Sequence, residues 1–231
     1  MKTYQRTSFA LAATLFLIAS WEPAPADETI NAAAGGVSAV SPASVKPTED
    51  GKTVELAVDD AAPAFACRDD QGNTWSSVDY VGKTFVVVYF YPADFTSGCR
   101  AQARSFRDNM NQLTADGIAV VGVSGDSVGN HEIFKTVEKL NFTLLADEDG
   151  AVARKFGVPL KEGGVVMPRD DERKPILDEE GKPLTLKRGV TASRWTFIIG
   201  MDGKILYKNI KVNPALDSKQ VVAFIKDLKK K

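Results

Sequence analysis

Cysteine occurs twice in this chain of 231 residues, and one of the two, Cys99, closes the stretch YPADFTSGC. The stretch lies between a strongly hydrophobic run, TFVVVYFY, and the segment RAQARSFRDNMNQL, which has the spacing of an amphipathic helix. A thiolate is a nucleophile, and the first turn of a helix favours it over the thiol. Unpaired N–H groups and the positive end of the macrodipole face the sulfur there. Thr96 or Ser97 can cap the helix, which places Cys99 in its first turn. The Thr96 hydroxyl can accept from a backbone N–H or donate to the oxygen of a ligand. Pro92 removes one backbone donor and fixes the loop. The residues alone leave a second reading open, with Cys99 a small buried hydrophobe and Thr96 simply a cap.

The elements that must position these groups are legible from periodicity. Cys99, Ala103, Phe106, Met110 and Leu113 fall on one helical face, so Cys99 opens the buried side of its helix. Thr84 to Phe90 is a continuous β-branched and aromatic run, as expected of a central strand buried on both faces. TVELAV alternates like a strand, and FACRDDQGNTWSS reads as short extended pieces around the turn DDQGN. GIAVVGVSG is a second buried strand. DSVGNHEIFKTVEKL follows as a helix with Ile133, Phe134, Val137 and Leu140 inward and His131, a structural residue, on or near its exposed face. FTLLAD is a further strand and GAVARKFGV a short helix. RWTFIIGMDGKILYKNI reads as a hairpin turning at Asp202-Gly203. A final helix from about Asp217 to Lys230 buries Val221, Val222, Ile225 and Leu228. The charged, Gly- and Pro-containing segment 161–189 interrupts this order, either as a hairpin around DEEGK or as an ordered loop over the site.

Composition sets the class. Charged residues are 26% and hydrophobic ones 44%, with a net charge of -1, so the chain is ordinary globular and lacks the basic excess of a nucleic-acid binder. Residues 1–26 have the pattern of a signal peptide: Lys2 and Arg6, then a short apolar run, then small residues at Ala24 to Ala26. An uncleaved anchor is the alternative, although the run is short for a span of about 20 residues. Residues 27–52, rich in Ala, Gly, Ser and Pro, read as a flexible linker, and 53–231 as one folded domain. Export places the domain in the periplasm or outside the cell, or near a membrane if the leader stays. In such an oxidising compartment Cys67 and Cys99 either pair or stay free. One histidine and two distant cysteines give no metal-site spacing, and no CxxC is present.

The stretch YFYPADFTSGCRAQARSFRDN resembles the active-site segment of the peroxiredoxins. It carries their P-x-x-x-T-x-x-C motif as Pro92, Thr96 and Cys99, and Gly98 with FRDN is similar to the bacterioferritin-comigratory subgroup. APAFACRDDQG, GVSGDSVGNHEIF, NFTLLADEDGAVARKFGV and RWTFIIGMDGKI fall where that family has matching blocks. The resemblance implies an α/β, thioredoxin-like fold: a central mixed sheet flanked by helices, with an N-terminal hairpin and the charged insertion. It implies that Arg194, in SRWTFIIG, completes the site. A guanidinium stays charged, stabilises a thiolate and offers donors to a peroxide oxygen. It implies a thiol-dependent peroxidase that needs no cofactor, reducing hydrogen peroxide or organic hydroperoxides through a sulfenic acid on Cys99. The reductant would be an external thiol, a thioredoxin-like protein or a small thiol, and the chain a monomer or homodimer.

The sequence departs from the subgroup in three places. Arg104 stands five residues after Cys99, where many members carry a resolving cysteine. Gln102 stands where many carry Glu. Cys67 occupies a position that usually holds an apolar residue, which makes it a core cysteine in preference to a resolving one. These point to a one-cysteine cycle. Two other functions fit the same residues. A thioredoxin-like thiol-disulfide oxidoreductase would work through Cys67–Cys99 exchange and show disulfide reductase activity without peroxide. A non-enzymatic redox sensor or binding module would use the 161–189 segment and lose its partner when that segment is deleted.

Overall fold

Alternation along one buried strand organises the molecule. In β3 (Phe85–Phe90), Val86, Val88 and Phe90 point to one side of the sheet and Val87 and Tyr89 to the other, and all five are buried. Side chains two apart share a face, so a strand apolar at every position needs cover on both. The computed structural model describes residues 54–230; the leader expected at 1–26 and the linker at 27–52 lie outside them.

β3 is the middle of a five-stranded sheet. Ordered by position, β5 (Thr143–Ala146), β4 (Ile118–Ser124) and β3 run parallel, and β8 (Trp195–Ile199) and β9 (Ile205–Asn209) continue antiparallel. One face is covered by α1 (Ser97–Ala115), by α4 (Asp217–Leu228) and by Phe134 of α2 (Val128–Glu138). The other is covered by α3 (Ala151–Lys155) and by the small hairpin β1 (Ala66–Arg68) and β2 (Thr74–Ser76), with Phe65 and Trp75 turned inward. This is the mixed thioredoxin-like sheet expected. The five apolar positions of α1 from Cys99 to Leu113 are all buried. Gly203, at φ 78, makes the turn between β8 and β9.

Two expectations fail. TVELAV forms no strand over residues 54–58. Its chain meets β9 and the turn before it through single bonds, Asp59 N–H to the Ile205 carbonyl at 2.8 Å and Ala62 N–H to that of Gly203 at 2.9 Å, and Val54 and Val58 are exposed. His131 is not near an exposed face: it is fully buried, while Val137, expected inward, is exposed.

The charged insertion is a hairpin. Its stem pairs β6 (Leu160–Val166) with β7 (Leu186–Ala192), and one of its turns is the expected Asp178–Gly181. Val166, Ile176, Leu184 and Leu186 pack on the α1 side of the core. Arg100 donates to the Arg169 carbonyl at 2.8 Å, and Arg100 and Arg104 both donate to Asp171 at 2.9 and 2.7 Å. Under this bridge Glu138 is fully buried between the same arginines. Arg104 Nε bonds one carboxylate oxygen at 2.5 Å, and Arg100 Nε lies 2.6 Å from the other without hydrogen-bond alignment. The two carboxylates therefore differ in worth. Glu138→Gln is expected to cost about 2–3 kcal/mol by urea unfolding, because it removes the buried one of the two carboxylates that face these partly buried arginines. Asp171→Asn, at an exposed carboxylate screened by solvent, is expected to cost clearly less. The reverse order would contradict this account.

Candidate active site

The site grows from the end of β3. The last ladder bond beyond it runs from Tyr91 N–H to the Val123 carbonyl at 3.1 Å. The chain then turns sharply: Thr96 N–H bonds the carbonyl of Asp94, two residues back, at 2.9 Å, with Phe95 between them at φ 60. A bulky residue at positive φ is strained by about 1–3 kcal/mol and persists only where its surroundings hold it. The Phe95 ring packs edge-on against Phe134 at 4.9 Å. Asp94, fully buried, is held on both sides. Its N–H donates to Asp126 at 3.0 Å, and its carboxylate accepts from the Tyr91 hydroxyl at 2.8 Å and faces His131 Nδ1 at 2.8 Å. His131 Nε2 donates to the Leu145 carbonyl at 3.2 Å.

This clamp delivers the chain into α1 with Thr96 in extended geometry as the residue before the helix. Of the two roles open to its hydroxyl, Thr96 does not take the capping one: the side chain makes no bond to the helix start and donates to the Ala93 carbonyl at 3.2 Å. That commits its proton and leaves its lone pairs to accept. The first intrahelical bond runs from Arg100 N–H to the Thr96 carbonyl, so the amides of Gly98 and Cys99 precede the ladder. Pro92, partly buried, lies near the start of the same loop.

Cys99 is only 2% exposed, and its Sγ accepts from Arg194 Nη2 at 3.2 Å. Arg194 lies between β7 and β8, so the strand next to β3 carries it to the sulfur. Its other terminal nitrogen donates to Gln102 Oε1. Gly98 makes room: a Cβ there would sit 3.3 Å from Arg194 Nη2 and 3.6 Å from Pro214 Cγ. The structure thus brings Arg194 and Cys99 together, and Thr96 and Pro92 lie in the loop without bonding the sulfur. Trp195, next in sequence to Arg194, points to the opposite side of the sheet, where Lys208 Nζ lies 4.9 Å from its ring.

Cys67 lies elsewhere. It packs with the core on the far face of the sheet, whereas Cys99 belongs to the near one, and both thiols are free. Burial, with the Asp147 carboxylate nearby, pushes the Cys67 thiol up to about 12. Sequence reasoning missed the Asp94–His131 clamp and the buried Asp217. The single histidine and the acidic residue inside the loop were the available signals for the first.

A family model described as AhpC/TSA matches residues 58–208, a span containing the loop, α1 and Arg194. Peroxiredoxin Q of the chloroplast of Oryza sativa subsp. japonica is 43% identical over 121 residues, 52% of this chain and 54% of that protein. A putative peroxiredoxin bcp of Coxiella burnetii is 38% identical over 130 residues, 55% of this chain and 85% of the relative. The match thus spans about half the length of the plant relatives. Among solved structures, peroxidoxin BcpB of Mycobacterium tuberculosis superimposes with a TM-score of 0.60 at 25% identity, over 75% of this chain and 99% of that one. A cysteine-to-serine mutant of Xylella fastidiosa PrxQ shares the fold, with a TM-score of 0.61 at 22% identity over 76% and 99%. The chain belongs to the AhpC/TSA family, and its relatives are peroxiredoxins of the peroxiredoxin Q and bacterioferritin-comigratory kind.

Proposed function

We propose that this chain is a thiol-dependent peroxidase in which Cys99 is the peroxidatic residue. The observation that carries it is the Arg194 guanidinium on the Cys99 sulfur at 3.2 Å, in the first turn of α1. A guanidinium is charged at every working pH and lowers the energy of a thiolate beside it. The thiolate attacks the terminal peroxide oxygen, the S–O bond forms as O–O breaks, and the second oxygen departs as hydroxide or alkoxide, which takes a proton from solvent to leave as water or an alcohol. Arg194 and the free amides of the helix start stabilise charge on the departing oxygen. The lone pairs of the Thr96 hydroxyl accept from the peroxide O–H, and Pro92 shields the sulfenic acid. An external thiol then displaces the sulfenic oxygen as water, and a second thiol releases Cys99 from the mixed disulfide.

The cycle is of one-cysteine type. The five-stranded sheet between Cys67 and Cys99, and the arginine at position 104 with its two carboxylate partners, support that reading. The chain acts after export, directed by residues 1–26. The test is rapid-mix oxidation of the purified protein by hydrogen peroxide, with intact mass as readout. Fast addition of one oxygen to Cys99 is the expected result. Fast loss of two hydrogens would make Cys67 the resolving thiol, and a rate no better than a free thiol would sink the peroxidase reading. Cys67→Ala is expected to keep the oxidation rate within about twofold, since a thiol held that far up is protonated at neutral pH.

A further inference from the structure

Among the described residues, Arg194 hydrogen-bonds no carboxylate. Its guanidinium donates to the Cys99 sulfur and to the side-chain amide of Gln102, a neutral group. The amide is held in turn. Gln102 Nε2 donates to Asp217 Oδ2 at 2.7 Å, and Thr196 Oγ1 donates to the same oxygen at 2.7 Å. Gln102, Thr196 and Asp217 are all fully buried. The chain of contacts crosses three elements: α1, which carries Cys99; β8, which starts beside Arg194; and α4, which carries Asp217.

We propose that Asp217 is a positioning residue for the peroxidatic site, orienting the Gln102 amide so that its oxygen holds the Arg194 guanidinium against Cys99. The inference rests on the peroxidase reading above. A guanidinium only donates and an ionised carboxylate only accepts. An amide between them has one satisfactory orientation, with oxygen toward Arg194 and nitrogen toward Asp217. Without the carboxylate, the buried Nε2 loses its acceptor and the amide is free to turn a donor toward the arginine. Gln102 then repels the group it now holds.

Two features separate this role from an ordinary helix start. Asp217 lies in the first turn of α4 but makes no capping bond to it; its side chain accepts only from Gln102 and Thr196. Its second oxygen, Oδ1, is buried without a partner among the described residues, and burial raises its carboxyl above its ordinary value against the pull of Thr196, Gln102 and Arg194. A carboxylate so placed costs stability that an apolar residue of the same size would not. The positive charge of Arg194 and the start of α4 offset part of that cost.

The test compares the rate of Cys99 oxidation by hydrogen peroxide in wild type, Asp217→Ala, Asp217→Asn and the double variant Gln102→Glu/Asp217→Ala. Asp217→Ala is expected to slow the reaction about ten- to a hundredfold. Asp217→Asn, whose carbonyl oxygen can still accept from Gln102, is expected to slow it less. Gln102→Glu is expected to recover most of the loss in the Asp217→Ala background, because its carboxylate bonds Arg194 directly. A merely structural Asp217 would lower the melting temperature with no such rescue. An Asp217→Ala rate equal to wild type, or a loss that Gln102→Glu does not recover, overturns the proposal. The relay also has a readout that needs no peroxide. The Gln102 side-chain amide protons should exchange slowly with solvent in wild-type NMR spectra, at least tenfold faster in Asp217→Ala, and less fast in Asp217→Asn, which keeps an acceptor. Fast exchange in wild type overturns the relay; a wild-type peroxide rate no better than a free thiol, with slow exchange intact, overturns only the peroxidase reading.

Discussion

Peroxide consumption by the Cys99→Ser chain is expected to fall to background, and the Arg194→Met chain to lose about a hundred- to a thousandfold in its rate with hydrogen peroxide. The serine result follows from the chemistry proposed for Cys99: a hydroxyl at neutral pH supplies almost no anion to attack an O–O bond. The arginine result follows from geometry. The guanidinium touches the sulfur at 3.2 Å and is held on its other side by Gln102, so both the thiolate and the departing oxygen have one fixed cation. Methionine keeps an unbranched stem of similar reach and removes the charge and all five donors. Arg194→Lys separates charge from shape. One ammonium keeps the charge but lacks the fork that spans Sγ and Oε1, and a loss of about tenfold is expected. Melting curves serve as the control, since the partly buried Arg194 makes no ion pair among the described residues. An Arg194→Met rate equal to wild type would remove Arg194 from the chemistry and leave Cys99 as a buried thiol.

The parts of this site legible in the sequence are those set by local periodicity. The run Phe85–Phe90 had to be central because every position is apolar. The 4, 3, 4, 3 spacing from Cys99 put the sulfur on the buried side of α1, where it is found. Asp202-Gly203 marked its hairpin for the same local reason, a residue able to take positive φ. What failed depends on partners far away in the chain. TVELAV alternates, but a strand needs a neighbour with free ladder groups, and it meets only isolated ones on β9. His131 looked solvated because a lone histidine on a mixed helix face has no visible partner; its partner, Asp94, is 37 residues upstream. The Gln102–Asp217 bond joins residues 115 apart, across two elements that periodicity places on the same face but does not pair. Gln102 brings no charge of its own; a carboxylate from α4, Asp217, meets its amide instead.

The Asp94–His131 pair is where the fold has most to lose. His131→Leu is expected to cost about 3–5 kcal/mol, because it leaves a fully buried carboxylate without its cationic partner. Both ring nitrogens of His131 face acceptors, Asp94 on one side and the Leu145 carbonyl on the other, an arrangement only the doubly protonated ring satisfies. Burial pulls the ring's proton affinity down. The charge and hydrogen bond of Asp94, with Asp126 and the Leu145 carbonyl, overcome it, and the group ends above its ordinary 6.5. Asp94 is itself raised by burial, so the folded pair holds protons more firmly than the unfolded chain does. The sign follows. The stability His131 contributes is fully present below about 6.5 and is lost as pH rises through its folded value. Urea midpoints taken between about pH 6 and about pH 9 should decline for wild type, and the share of that decline due to the ring should vanish in His131→Leu. Asp94→Leu added to His131→Leu removes the stranded charge and should recover part of the loss. A single-variant cost under about 1 kcal/mol would mean that the pair is not a buried ion pair. The consequence reaches the sulfur. Asp94 stands immediately before Phe95, whose positive φ brings Thr96 to the start of α1, and that strain persists only while the residues around it are held. His131→Leu should therefore slow peroxide oxidation under conditions where the chain is still fully folded, which a residue serving stability alone would not do.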